Sequence, residues 1–330
     1  QASIVFSMQG VASLTVPLLA MLLLWACGTP KFNGKGSDLG LSWRLLLGLG
    51  ALPGILMAPF KAKAATSAKT TSSTDPSLSQ TLAGTEPLNP PVKQVSLGEA
   101  LRQRKYWGKL VGTAGGWFLF DITFYGNSLF QSTVLKHVFH SVTPSGMVPV
   151  TGGLEENVIA QIAVVACIGL PGYYVSVWLM DKLGRRNIQL QGFFFMGLVF
   201  AVIGLCVKPL ESVPAVMLIL YGLTFFFANF GPNSTTFILP AETFPLHLRT
   251  TMNGISAAMG KAGATFGSAT FKTLFHSFKV ESSGLTVTML VCAAVSLLGL
   301  VVTFFFVEDR RGKALEGDET AQADPESTAN

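Results

Sequence analysis

The chain has 330 residues, of which 49% are apolar and only 12% charged, with a formal net charge of +5 and a mean hydropathy of +0.49. A soluble domain of this size carries about twice that share of charge, so composition excludes an ordinary water-soluble fold and makes the lipid bilayer the expected solvent. The Lys and Arg residues are scattered through loops rather than gathered on one polar face, which argues against a nucleic-acid partner. Cys27, Cys167, Cys206 and Cys292 lie in or at the ends of apolar runs without paired spacing, so neither a disulfide framework nor a metal site is expected, and they read as buried small hydrophobes.

Apolar runs long enough to cross a hydrocarbon core as helices predict eight spans, at about 3–27, 41–60, 107–135, 157–180, 188–206, 214–239, 250–271 and 286–307. The first opens at Gln1 inside an apolar run, with neither an initiator Met nor a charged leader and cleavage motif, so the chain reads as N-terminally truncated. This span carries a lone amide, Gln9, read from sequence as a packing hydrogen bond as readily as a ligand. Residues 62–98 are rich in Ala, Ser, Thr and Pro without apolar period and predict a disordered connection, ending in a short amphipathic segment near 97–106. It divides two spans from six, which suggests a 6+6 helical architecture lacking its first four helices.

In the span 107–135, Trp117, Asp121 and Tyr125 recur at steps of four, so a helix places an indole donor, a carboxylate and a phenol on one face. An Asp near the middle of a span costs about 2.5–3.5 kcal/mol to insert even on the lenient scale, so it is expected to face a polar cavity or a partner. Next comes a tight turn, Asp181-Lys182-Leu183-Gly184-Arg185-Arg186, bearing both charge signs. The span 214–239 is interrupted by Asn229-Phe230-Gly231-Pro232-Asn233-Ser234-Thr235-Thr236. Gly-Pro frees backbone groups that a cavity must satisfy, and broken helices at mid-membrane depth are where transporters bind substrates. The alternative is a structural kink whose polar groups satisfy their own backbone.

After that span, Pro240-Ala241-Glu242-Thr243-Phe244-Pro245 leads to Arg249, with Glu242 expected to pair with Arg185 or Arg186. In the span 250–271, Lys261 sits among small residues that permit close helix approach, as the natural counter-ion for Asp121 or for an anionic substrate. Lys61, Lys63, Arg102, Arg104, Lys105, Lys182, Arg185, Arg186, Arg249, Arg310, Arg311 and Lys313 fall on one side of the predicted topology. By the positive-inside rule that side is cytoplasmic. The expected organisation is an all-α membrane protein: 1–60 the last two helices of an N-terminal bundle, 61–106 a central cytoplasmic loop, 107–307 a six-helix bundle and 308–330 a cytoplasmic tail.

The loop Asp181 to Arg186 and the acid-and-arginine stretch Glu242 to Arg249 resemble signatures of the major facilitator superfamily. Read so, Asp181, Arg185, Arg186, Glu242 and Arg249 form a conformational latch rather than ordinary positive-inside anchors. Met8-Gln9-Gly10, the run from Gly116 to Gly126, Asn229 to Thr236 and Gly254 through Gly263 resemble the phosphate:proton symporter family of that superfamily, of the fungal and plant high-affinity type. The resemblance covers nearly the whole chain outside its loops. It implies proton-coupled uptake of inorganic phosphate by alternating access, with phosphate held by Gln9, Trp117, Asp121, Tyr125 and Asn233 beside Lys261. Asp121 is then both ligand and proton-coupling carboxylate. An ionised Asp repels phosphate while a protonated one donates to it, so proton uptake favours loading.

The resemblance further implies a plasma-membrane protein with a cytoplasmic C-terminus. Its partners are phosphate, protons, the bilayer and the absent N-terminal helices of the same protein, and it needs no cofactor. The chain departs from the family pattern at Asn127 and Ser128 and in a long loop at 137–156. Two rivals remain: a sugar or other solute transporter of the same superfamily, and a transporter-like membrane receptor. No Pro-Glu-Ser-Pro-Arg-type run follows residue 60, as sugar porters usually have, and only Glu308 to Gly312 echoes their C-terminal signature. An enzyme is not expected, since His137, His140, His247 and His276 lie in loops or near span ends beside no nucleophile or metal-ligand pattern.

Overall fold

The computed structural model describes residues 2–26, 39–73, 98, 102–140, 154–309 and 311, and among these the regular structure is helical. In chain order the helices are α1 (Ala2–Ala26), α2 (Leu39–Ser73), α3 (Arg104–Leu110), a π-helical turn at Val111–Gly115, α4 (Gly116–His140), α5 (Leu154–Leu183), α6 (Arg185–Leu205), α7 (Val207–Glu211), α8 (Pro214–Asn229), α9 (Pro232–Thr243), α10 (Leu246–His276) and α11 (Glu281–Phe306). Each of the eight predicted spans falls on helix. Five stretches among the described residues are long and apolar enough to cross a membrane: Ser3–Leu23, Leu41–Phe60, Arg185–Leu205, Pro214–Thr243 and Glu281–Phe306. The predicted spans on α4, α5 and α10 are not among these five, and α4 and α10 are less apolar because they carry the polar side chains described below. α2 runs on to Ser73, so residues 62–73, expected as part of the disordered connection, are helical; most of the rest of the loop 61–106, the loop 137–156 and the tail 308–330 lie outside the described residues, as does Cys27.

The chain divides into two compact units, one of Gln1–Leu18 with Leu97–Asn330 and one of Leu19–Ser96. In the second unit α2 presents Leu47, Ile55, Leu56 and Phe60 on its surface, the pattern of a helix solvated by lipid. In the first unit the opening turns of α1 pack with the C-terminal helices, where Phe6 stacks on Phe237 at 4.9 Å between ring centroids. The core of this unit is built from α4, α6, α8, α10 and α11, with Phe120, Phe193, Phe200, Tyr221, Phe275 and Met289 fully enclosed. Cys292 is buried in it, whereas Cys167 is exposed, contrary to expectation, and Cys206 is half-buried. A small apolar side chain on a membrane helix loses little by facing outward, because lipid is no more hostile to it than the core is.

Helices in lipid associate by close packing and interhelical hydrogen bonds rather than by expulsion of water, and glycines decide where they touch. Along α10, Gly260 lies against the Trp117 ring, Gly263 against the Phe118 carbonyl and Gly267 against the Ile122 carbonyl, so α10 and α4 meet backbone to backbone. Gly172 gives the same access to the Phe226 carbonyl of α8, and Gly192 and Gly231 to one another. The turn into α6 is made by Gly184, the described residue with a left-handed backbone, at φ 83°. Only glycine takes that conformation without steric cost.

Polar side chains pin the bundle at a few buried points. Gln189 of α6 donates from Nε2 to Thr303 Oγ1 of α11 at 2.9 Å and accepts from Thr235 Oγ1 of α9 at 2.8 Å. Both threonine hydroxyls also reach their own helix backbone, at Gly299 and Gly231. Gln189→Leu therefore strands neither hydroxyl and is expected to cost only about 1 kcal/mol, near the membrane average for two lost contacts, read as a small fall in Tm of the purified protein. A loss of folded protein on this substitution would mean that Gln189 holds the bundle by more than these two bonds.

Candidate functional site

Asp121 is 2% exposed on α4, one turn beyond Trp117 and one before Tyr125, as the four-residue spacing predicts. Lys261 of α10 reaches the same place: its Nζ lies 3.7 Å from Asp121 Oδ2 and donates to Tyr125 Oη at 3.0 Å. It stands 4.7 Å from the Tyr125 ring centroid, a cation–π distance. The glycine seam between α4 and α10 permits this, since larger residues at 260, 263 and 267 would hold the two helices apart. The pair is asymmetric. Asp121 is enclosed while the Lys261 side chain is largely exposed, lining an open groove with Tyr125, Ala264, Thr265 and Ser268. Asp121 Oδ2 is buried without a hydrogen-bond partner, an expensive state for a carboxylate oxygen in a low-dielectric setting. An ammonium has three donors, and Tyr125 takes one of those of Lys261.

The helix break between α8 and α9 separates into two kinds of residue. Ser234 Oγ donates to Asn229 O at 2.9 Å and Thr236 Oγ1 to Pro232 O at 2.7 Å, while the one proton of Thr235 Oγ1 goes to Gln189 Oε1 at 2.8 Å, with Gly231 O as its alternative at 3.1 Å. Ser234 satisfies the Asn229 carbonyl at the break, whereas the Gly231 carbonyl already accepts from Thr235 N, so the structural alternative accounts for part of this run. The amides do something else. Asn229 Nδ2 donates across to Gly169 O of α5 at 3.0 Å, and Asn233 Nδ2 donates to Asn229 Oδ1 and to Tyr173 Oη, each at 2.8 Å. Tyr173 is a residue that sequence reasoning missed. Its signal is Pro171-Gly172-Tyr173 inside the span 157–180, a Pro-Gly interruption of the same kind as the Gly231-Pro232 one that was noticed.

Gln9 lies beside this network: it lines a cavity of about 150 Å³ together with Ser13, Phe124, Ser128, Gln131, Tyr173 and Asn229. The six expected substrate residues thus fall into two groups, Trp117, Asp121, Tyr125 and Lys261 between α4 and α10, and Gln9 and Asn233 around Tyr173. Aromatic rings connect them. Trp117 meets Phe237 edge-on at 6.4 Å, Phe237 stacks on Phe6, and Phe6 lies 6.0 Å from Tyr173. Phe124 lines the cavity and packs edge-on against Tyr125 at 5.5 Å.

At one end of the bundle Arg185 is held by two carboxylates, with Nη1 at 2.8 Å from Asp181 Oδ1 and Nε at 2.9 Å from Glu242 Oε2. Of the two arginines offered to Glu242 by the sequence, Arg185 is the partner. Arg186 instead donates to Phe304 O at 2.9 Å, and Arg249 Nε donates to Phe244 O at 3.2 Å. Among the described residues no group of three or more His, Cys, Asp and Glu side chains is arranged to hold a metal.

The sequence pattern of the sugar (and other) transporter family matches residues 18–321. The chain belongs to that family. Its helical bundle is that of the major facilitator superfamily: the proton:xylose symporter XylE, solved with 6-bromo-6-deoxy-D-glucose bound, superposes with a TM-score of 0.61 over 98% of this chain and 66% of its own, at 17% identity. Among curated relatives of this transporter-family chain, inorganic phosphate transporter 1-6 of Oryza sativa subsp. japonica is 36% identical over 96% of the chain and 66% of its own length. Probable inorganic phosphate transporter 1-6 of Arabidopsis thaliana is 33% identical over 98% of the chain and 66% of its length. The chain therefore spans 66% of the length of these relatives. Family and fold together make it a multi-pass membrane protein of a transporter family and not an enzyme.

Proposed function

We propose that this chain is the larger part of a secondary active transporter that carries inorganic phosphate together with protons by alternating access. The observation that carries the reading is Asp121: a buried carboxylate whose Oδ2 makes no hydrogen bond and is faced at 3.7 Å by the exposed ammonium of Lys261. An anion entering from the Lys261 groove meets positive charge from Lys261 and hydrogen-bonding groups from Tyr125 and Trp117. Ionised, Asp121 repels it; protonated, Asp121 donates to it, so loading and protonation assist one another. Gln9, Asn233 and Tyr173 supply uncharged hydrogen-bonding groups on the other side of the aromatic link. The names of the relatives support phosphate as the substrate. Asp181, Arg185 and Glu242, with Arg249 near them in sequence, act as the latch whose ion pairs break and re-form as the bundle rocks, and Arg186, expected among them, is turned to the Phe304 carbonyl instead. The positive-inside distribution supports a cytoplasmic C-terminus, and uptake of a nutrient anion supports the plasma membrane.

A second reading, transport of a sugar, is favoured by the family description and the fold of the xylose symporter. The buried Asp and its facing Lys weigh against it, because a neutral sugar gains nothing from that ammonium. The deciding experiment is radiolabelled phosphate uptake into proteoliposomes by the protein as its own gene encodes it, with and without an inward proton gradient and with xylose as the competing solute. Gradient-driven phosphate uptake that xylose leaves untouched is expected. Vesicles active toward the sugar and silent toward phosphate would overturn the assignment, and saturable phosphate binding without uptake would indicate a receptor.

A further inference from the structure

The flank formed by α6 and α11 carries a groove of about 450 Å³ that the transport reading does not use. Leu190, Phe194 and Phe195 line it from α6, and Val301, Phe304 and Phe305 from α11. The remaining polar lining group, the Gln191 amide, is turned inward and donates to Phe230 O and Ile188 O, so it offers the groove no donor of its own. The wall is aromatic and outward-facing, with Phe305 71% and Phe304 56% exposed.

Arg186 stands beside one end, against Phe304. It stands one turn before Leu190 on α6, and its guanidinium donates to Phe304 O and sits 5.3 Å from the Phe304 ring centroid. Its neighbour Arg185 is spent on Asp181 and Glu242, whereas among the described residues no carboxylate lies within ion-pair distance of Arg186. A guanidinium has five N–H donors, and Phe304 O takes one. The Phe304 carbonyl and ring hold the side chain in place, which sets a cation beside one end of an open apolar groove. From Arg186 to Phe195 the helix rises about 14 Å, a length suited to an extended acyl chain.

We propose that this flank binds one phospholipid with an anionic headgroup, its acyl chain in the groove and its headgroup phosphate on Arg186. Charge complementarity selects the occupant. A free anion is drawn to Arg186 but gains nothing from the apolar wall, a zwitterionic lipid gains the wall and a phosphate contact that its own ammonium offsets, and an anionic phospholipid gains the wall and an unopposed charge pairing. On the topology expected from the Lys and Arg distribution this is the cytoplasmic leaflet, where anionic lipids are found.

The test is native mass spectrometry of the purified full chain in detergent, titrated with equal amounts of phosphatidylglycerol and phosphatidylcholine. The protein is expected to retain phosphatidylglycerol about five-fold over phosphatidylcholine, the preference that one basic residue near a membrane confers. Arg186→Gln removes the preference, Arg186→Lys keeps most of it, and Lys182→Gln, a basic residue that sits over the Trp178 ring and does not line the groove, leaves it intact. Val301→Trp fills the groove and lowers retention of both lipids. An unchanged preference in Arg186→Gln, or displacement of the bound lipid by millimolar inorganic phosphate, overturns the proposal; the latter makes the site an anion site without a lipid.

Discussion

Asp121→Asn is expected to abolish the dependence of phosphate uptake on the proton gradient while changing phosphate affinity less than about ten-fold, because the amide, like the protonated carboxyl, is neutral and donates a hydrogen bond, the exchange of one neutral donor for another. An amide of the same shape fills the space beside Lys261 but cannot take up or release a proton. The substitution also leaves the ammonium, 3.7 Å from Oδ2 in the native chain, without its carboxylate. The altered protein is expected to fold, because the native Asp121 Oδ2 makes no hydrogen bond that the bundle loses. Uptake with and without the gradient, alongside the elution profile in detergent, separates loss of coupling from loss of structure. Gradient-driven uptake that survives the substitution would remove Asp121 from the coupling role and leave it a structural carboxylate.

Gly263→Leu is the most damaging single change expected for the fold. A Cβ at 263 lands on the Phe118 carbonyl, which is backbone and cannot swing aside as a side-chain tip can. α4 and α10 must then separate, which draws Lys261 away from Tyr125 and Asp121. Overpacking in a core costs about 1–3 kcal/mol where neighbours can adjust, and at this seam the cost is expected at or above the upper end of that range. A control lies on the same helix: Gly254 has open space where a Cβ would go, so Gly254→Ala is expected to be neutral or to stabilise by up to about 1 kcal/mol through helix propensity. Thermal unfolding of both variants in detergent checks the pair. Equal Tm values would mean that the helices do not meet closely at the glycines.

The helices themselves were legible because lipid imposes length and hydropathy on anything that spans it. The α4 triad was legible for a different reason: helical periodicity alone puts Trp117, Asp121 and Tyr125 on one face, wherever that face points. Lys261 followed from the cost of an ionisable residue inside a span, which demands a partner or a cavity. The break at Gly231-Pro232 was visible as composition, yet composition did not reveal that Ser234 and Thr236 are occupied by their own backbone, that Thr235 reaches Gln189 of α6, and that Asn229 and Asn233 look across to α5. Hydroxyls and amides read alike in sequence, and only the direction of each side chain separates them.

Sequence by itself thus determined that the chain is a helical membrane protein, where its spans fall, and which few polar residues inside them carry an energetic cost that calls for an explanation. Tertiary structure decided which of those residues meet. It brought Lys261 to Asp121 across a glycine seam, chose Arg185 over Arg186 for Glu242, and added Tyr173 to the site from a span that sequence had left without a role. The division has a physical cause: periodicity and hydropathy are properties of one helix in its solvent, whereas pairing depends on how closely two backbones approach, which is set by small residues far apart in the chain.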